Sequence, residues 1–197
     1  MKIIVIGATG RSGIIVTERA LEQGHAVTAF VRNPGKLNFS HPLLTVMSGD
    51  VLDYSSVDQA MGKQEAVLCA LGRGQSGPKT SLSEGTKNIV MAMEKYGVRR
   101  IICELSVGID NRPLPPGFDE IAIEHRRQLS ILRQTHLDWI AVCPPIITEY
   151  AATGQYRLMA NVMPQGFVQI SKFDLADFML SQLTSDEYLH KTVGIAY

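Results

Sequence analysis

The stretch Gly7-Ala-Thr-Gly10-Arg-Ser-Gly13 carries glycine at every third position, directly after the apolar run Ile3-Ile-Val-Ile6. Glycine is needed where a chain turns with positive φ, where backbone must touch a ligand, and where a helix packs closely on a strand. A strand–turn–helix built on such a loop offers unpaired N–H groups and the positive end of a helix dipole to an anion. The pyrophosphate of a dinucleotide is the ligand that uses this arrangement. The spacing is GxxGxxG rather than the commoner GxGxxG, so the strand–turn–helix context carries the assignment. At the end of the next apolar run stands Val31-Arg32-Asn33, with Lys36 shortly after it. A site for an unphosphorylated dinucleotide usually holds Asp or Glu there for the ribose hydroxyls. A guanidinium instead grips a 2′-phosphate with a bidentate fork and offers no acceptor to a free hydroxyl. NADPH is therefore the expected cofactor, with Arg11 as a second cation. Asp50-Val51 reads either as a carboxylate near the adenine or, with Asp53, as turn and cap residues. Leu71-Gly72 falls where backbone can approach the ligand.

The chain lacks the Tyr-xxx-Lys pair with which a short-chain dehydrogenase protonates a carbonyl. Tyr96 is followed at that spacing by Arg100, Lys191 is one residue out of register with Tyr188, and Tyr54, Tyr150 and Tyr156 have no lysine there. Ketone chemistry with a protein acid is thus disfavoured, while hydride transfer to an acceptor that takes its proton from water stays open. Ser106 has two readings, a loop hydrogen bond or a contact to nicotinamide or acceptor. His125 lies on the apolar line Ile121, His125, Leu129, Leu132, and is read either as a core histidine or as a second catalytic candidate. His25, His41, His136 and His190 fall on different elements, so no metal site is expected.

The elements that must position these residues alternate between short β-branched runs and longer amphipathic ones, the pattern of a parallel sheet covered by helices. Strands are expected at Lys2–Ile6, 25–31, 43–47, 66–71, Arg100–Glu104 and Asp138–Cys143, the last stopped by Pro144-Pro145. Helices are expected over 10–23, after Asp53 as far as Gly62, from a capping box Ser81-Leu-Ser-Glu84 to Gly97, and over 119–134. A Pro-rich connection, 112–117, reads as a loop. The last third carries weaker strands near 155–159 and 167–170, a helix opened by a second box Ser171-Lys-Phe-Asp174, and a strand near 193–196. Met91 with Met93, and Phe167 with Phe173 and Phe178, are expected to pack the core.

These elements make one doubly wound α/β domain over residues 1–197. The chain has 197 residues, 45% hydrophobic and 19% charged, which excludes disorder. Nineteen basic and nineteen acidic side chains give zero formal charge, so neither nucleic acid nor an anionic membrane is an expected partner. Cys69, Cys103 and Cys143 are an odd number without CxxC spacing, as expected of reduced thiols in a cytoplasmic protein. The N-terminal apolar run is too short for a signal peptide or a membrane span.

Taken together, the chain resembles the animal biliverdin-IXβ reductases, also called NADPH-dependent flavin reductases, among the atypical short-chain dehydrogenases. The resemblance runs almost end to end: Ile6-Gly-Ala-Thr-Gly10, Val31-Arg32, Gly49-Asp50-Val51-Leu52, Ser83-Glu-Gly-Thr-Lys-Asn-Ile-Val90, Ala141-Val-Cys-Pro-Pro145, Ile170-Ser-Lys-Phe-Asp-Leu175 and Leu183-Thr-Ser-Asp-Glu-Tyr188. It implies a Rossmann-type fold and a monomeric cytoplasmic enzyme that passes hydride from NADPH to flavins and linear tetrapyrroles in a shallow apolar pocket. It places the family's site serine on Ser106. The residues expected at the cofactor are Gly7, Thr9, Gly10, Arg11, Ser12 and Gly13, then Arg32, Asp50, Val51, Leu71 and Gly72, and finally Cys143, Pro144, Pro145 and Ile146. Three departures bear on the acceptor. Ile146 replaces a histidine after the double proline, Leu129 replaces the second histidine of a His-xxx-His pattern, and the 107–117 loop is shorter. Two other readings share the glycine loop: a non-catalytic NADP sensor of the NmrA-like kind, and, more remotely, a sugar-nucleotide epimerase.

Overall fold

The computed structural model describes residues 1–72, 78–107, 109, 119–161, 166 and 168–197. The Pro-rich 112–117 connection and Phe167 lie outside them. Strand β1, Lys2–Ile6, has a run of apolar residues on both faces because it lies inside the sheet: Ile3 and Val5 face one side, Ile4 and Ile6 the other, all fully buried. It pairs in parallel with β2, Ala26–Val31, and β4, Ala66–Cys69. Beyond β2 lies β3, Leu44–Ser48, and beyond β4 come β5, Arg100–Glu104, and β6, Asp138–Cys143. β10, Thr192–Ala196, continues the parallel run, and β8, Arg157–Ala160, closes the edge antiparallel. The order is β3-β2-β1-β4-β5-β6-β10-β8, so the chain reverses direction across the sheet between β1 and β4. That reversal opens a crevice at the carboxyl ends of the strands, where ligands of open α/β sheets bind.

Helices cover both faces. α1, Gly13–Glu22, and α5, Lys172–Ser181, pack Ile15, Val16, Ala20 and Leu175, Phe178, Met179 onto the face that carries Ile3 and Val5. α2, Tyr54–Met61, α3, Ser81–Tyr96, and α4, Asp119–Arg133, pack Val57, Ile89, Met93, Leu129 and Leu132 onto the other. This is the doubly wound Rossmann-type α/β fold with a mostly parallel sheet. Asp53 caps α2 through the Ser55 amide, and Gly97 ends α3 in the left-handed region at φ 68.

Some local expectations are corrected. The Ser81–Glu84 box does not form: Thr80 is the N-cap with no side-chain bond, and Glu84 pairs with Lys87 instead. Glu124 on α4 takes its place, accepting from the Ser83 amide at 3.0 Å and the Ser83 hydroxyl at 2.9 Å. The second box is half made: Ser171 caps Phe173, but Asp174 turns away to hold another segment. α1 begins at Gly13 because residues 10–12 are used in the turn before it. The double proline ends β6 at Cys143 as expected, but a further short strand follows it. Ile146 bonds its amide to the Val168 carbonyl, and β7, Ile146–Thr148, pairs with β9, Gln169–Ser171, as a separate parallel pair. Met91 is 52% exposed rather than in the core.

The buried Asp174 carboxylate ties three stretches together, accepting from the Thr153 and Gly154 amides, the Thr153 hydroxyl and the Tyr197 hydroxyl. Burial by itself would raise its pKa; the Thr153 amide, Tyr197 and Gly154 outweigh that and hold it below the usual carboxylate range. A carboxylate depressed in the folded state stabilises above its unfolded pKa, and that stability is lost as pH falls through the folded value. Asp174→Ala is expected to cost about 2–3 kcal/mol, the order of one or two hydrogen bonds to a charged group. Urea denaturation reads it as a lower midpoint, and an unchanged midpoint would contradict the tie.

Candidate dinucleotide site

Backbone packed on backbone shapes the crevice. Gly7 sits at φ +81, and a Cβ on it would lie 2.4 Å from the Ala70 carbonyl oxygen. A Cβ on Gly13 would lie 2.1 Å from the Gly7 oxygen. Between them the Gly10 amide donates to the Gly7 carbonyl at 2.8 Å, closing the turn. β1, the loop, α1 and the end of β4 are thus pressed together with no side chain between them. No side chain caps the N-terminus of α1, because the Ser12 hydroxyl points elsewhere. The first turn of α1 therefore carries no side-chain cap, and its Ile14 amide is held by the Gly10 carbonyl at 3.1 Å.

Beside this loop runs a cleft of about 680 Å³. Of the residues expected at the cofactor, Gly7, Thr9, Gly10, Arg11, Arg32, Asp50, Val51, Leu71 and Gly72 line it together. Arg32 and Lys36 stand at the β2 end, with no carboxylate following β2. Asn33 holds that end in shape by accepting from the Gly35 amide at 3.0 Å, which starts a short 3₁₀ turn over Pro34–Lys36. Asp50 serves both of its readings in part: it lines the cleft, and its carboxylate accepts from the Leu52 amide. Arg11 departs from its expected role. It reaches across the cleft rim to the Ile147 carbonyl at 3.2 Å and lies 3.8 Å from Glu149, rather than joining Arg32.

The remaining expected residues lie outside the cleft lining. Ser12 and Gly13 sit beneath the loop, both buried. Cys143 is fully buried, Pro144 is buried, and Ile146 is 63% exposed at the start of β7. Ser106 follows β5, its hydroxyl donating to the Val107 carbonyl at 3.1 Å, and the Val107 amide bonds to the Pro144 carbonyl. The Ser106 turn and the double proline are therefore brought together at the ends of neighbouring strands. His125 lies apart from both, buried between α3 and α4. There Thr86 donates its hydroxyl hydrogen to the Leu82 carbonyl, so it must accept from the Gln128 amide nitrogen. Gln128 then turns its oxygen to His125 Nδ1 at 2.8 Å, which fixes the Nδ1–H tautomer. Burial pushes His125 down to about 4, against small opposing effects of Gln128 and Glu124.

Several residues of the site escaped the sequence reading. Phe30 and Gly49 form one wall: a Cβ on Gly49 would meet the Phe30 ring at 2.5 Å. Asn88 donates to the Val51 carbonyl at 2.7 Å and Gly85 leaves room for the Val51 side chain, so α3 fixes the β3 end of the cleft. Their spacing in Ser-Glu-Gly-Thr-Lys-Asn puts both on one helical face, a usable signal. Glu104 is a further one, its Oε2 accepting from the Ser12 hydroxyl at 2.5 Å. Loss of hydration pushes its carboxyl up to about 7, offset in part by Ser12. An acidic residue directly after the apolar run Ile101-Ile-Cys103 of a central strand is the visible clue.

A family model described as NAD(P)H-binding matches residues 7–186, and the chain belongs to that family. Among characterised and uncharacterised relatives, an uncharacterized protein of Mycobacterium tuberculosis is 29% identical over 94% of this chain, which spans only 20% of that protein's length. The fold is shared with an anaerobillin reductase of Escherichia coli O157:H7 at TM-score 0.85 and 23% identity, covering 99% of this chain and 96% of that one. It is shared also with a short-chain dehydrogenase/reductase of Veillonella parvula in complex with NADP, at TM-score 0.79, 18% identity, and 100% and 94% coverage. Among the described residues no helix is long and apolar enough to cross a membrane.

The His125 environment makes a pH prediction. Its pKa is lower folded than unfolded, so the unfolded chain binds the extra proton; the stability it contributes is present above about 6.5 and lost as pH falls toward about 4. His125→Leu should flatten the urea midpoint across that window. A midpoint that still falls as steeply would place the acid sensitivity elsewhere.

Proposed function

We propose that this protein is an NADPH-dependent reductase that delivers hydride to a planar acceptor, a flavin or a linear tetrapyrrole, and that it acts as a monomer on small molecules. The observation that carries the reading is the polarity of the site. A cationic end, Arg32 with Lys36, lines one cleft with the glycine loop, and the Ser106 turn and Pro144-Pro145, outside that cleft's lining, stand at the ends of β5 and β6 with Ile146 exposed after them. Bound NADPH supplies hydride from its nicotinamide ring, and water supplies the proton to a flavin or bilin acceptor.

The chain's own residues bind and orient. Arg32 and Lys36 take the 2′-phosphate, the Gly10–Gly13 turn takes the pyrophosphate, and the residues around Leu71 and Gly72 let the dinucleotide lie close to the sheet. The nicotinamide end rests over Pro144 and Pro145, with the Ser106 hydroxyl free to leave the Val107 carbonyl for the carboxamide or the acceptor. Beyond it Ile146, Tyr150 and Val168 are 63%, 67% and 59% exposed, an apolar shelf suited to a flat, conjugated molecule. The acceptor is already electrophilic, so stacking and proximity supply most of the catalysis and no protein acid of the Tyr-xxx-Lys kind is required. The name of the Escherichia coli neighbour, a bilin-type reductase, supports the tetrapyrrole side of this reading.

Purified protein should oxidise NADPH only when FMN or a biliverdin mixture is added, and Ser106→Ala should lower turnover while leaving NADPH affinity nearly unchanged. Equal rates for Ser106→Ala and wild type would remove Ser106 from the site. Tight NADP binding without acceptor-dependent oxidation would make the protein a cofactor sensor instead.

A further inference from the structure

The carboxyl of Glu104, bonded to Ser12 behind the glycine loop, is a feature that dinucleotide binding does not explain. It ends β5 on the face covered by α1 and α5, beside Val142 of β6. Its single described partner is the Ser12 hydroxyl, on the residue from which α1 starts. The surrounding charges are committed elsewhere. Arg11 reaches Ile147 and Glu149, and Lys172 pairs with the same Glu149. Arg19 pairs with Glu22 and Asp177, while Asp174 holds Thr153, Gly154 and Tyr197. Glu18 lies further along α1, about 9 Å beyond Ser12 at 1.5 Å per residue. Through the sheet, Cys69, Cys103 and Cys143 present thiols on the strands β4, β5 and β6, and Cys103 is held neutral by Cys69 and burial. No cation among the described residues answers Glu104.

We propose that Glu104 is a positioning residue for the phosphate loop and takes up a proton when the dinucleotide binds, so that cofactor affinity falls as pH rises. This deepens the dinucleotide reading of the site and rests on it. Ionised, Glu104 accepts the Ser12 hydroxyl and places a half-buried, poorly hydrated negative charge behind the loop that must meet a pyrophosphate. Like charges in a poorly hydrated site disfavour one another strongly. Protonation removes the repulsion, and the neutral acid can keep the bond by donating to Ser12. Free protein near neutral pH holds a mixture of the two forms, since burial lifts this carboxyl to about 7. The complex holds the protonated one. The only covalent change is one proton passing from solvent to a Glu104 oxygen.

The test is calorimetric titration of the full chain with NADP⁺ at about pH 8, in buffers of different ionisation enthalpy, which counts protons exchanged. At that pH the 2′-phosphate, with a second pKa of about 6, is already dianionic and adds no signal. Wild type should take up close to one proton and lose affinity roughly tenfold per pH unit above neutrality; Glu104→Gln should take up none and bind with a flat profile. Should Glu104→Gln fail to fold, Ser12→Ala retains the carboxyl but removes the bond that lowers its pKa, and the onset of uptake should move to higher pH. Binding by wild type with no proton uptake would overturn the proposal while leaving the dinucleotide site standing. No binding at all would overturn both.

Discussion

Everything in this site follows from the contact of Gly7 with Ala70. A carbonyl oxygen packed where a side chain would begin forces glycine at the end of β1, and the same crowding repeats one turn later at Gly13. With no side chains between loop, helix and β4, the loop packs directly on the sheet and presents Gly7, Thr9, Gly10 and Arg11 to the cleft. The strand order then does the rest: because the chain leaves β1 for β2 on one side and β4 on the other, the crevice opens directly above that loop. Charge is added at the periphery, by Arg32 and Lys36, without disturbing the packed centre.

Much of the fold was legible because its cause is local. β1, β5 and β6 are continuous apolar runs bounded by charge or proline, and their limits agree with the sequence reading. The helices of both faces announce themselves by their apolar stripes. What escaped was the tertiary choice between equivalent polar partners. Ser81 and Glu84 have capping-box spacing, yet α3 is capped from α4 by Glu124, because a buried carboxylate brought in by packing can reach the Ser83 amide. Asp174 has the same spacing behind Ser171 and is drawn off to Thr153, Gly154 and Tyr197. Local pattern cannot rank such competitors.

The site divides along the same line. Its glycine loop and Arg32 are fixed by backbone geometry and charge, properties a sequence displays. The walls supplied by Phe30, Gly49 and Asn88, and the carboxyl behind Ser12, depend on which elements meet. Arg11 shows the limit most plainly: as a residue of the loop it reads as a second phosphate cation, whereas the fold offers it a carbonyl and a carboxylate on β7 and beyond. The buried Gln128–His125 pair is likewise invisible until α3 and α4 are docked, and once docked it holds the imidazole neutral within the helix pair.

The central claim is that Arg32 at the end of β2 reads a 2′-phosphate. Equilibrium binding of NADPH and NADH to wild type and Arg32→Ala, at one salt concentration, tests it directly. The account predicts tighter binding of NADPH by wild type, and a selective loss of about 1.5–3 kcal/mol for NADPH in the variant, the value of a charged hydrogen bond. Equal affinities for the two cofactors in wild type, or an equal loss for both in Arg32→Ala, would contradict it.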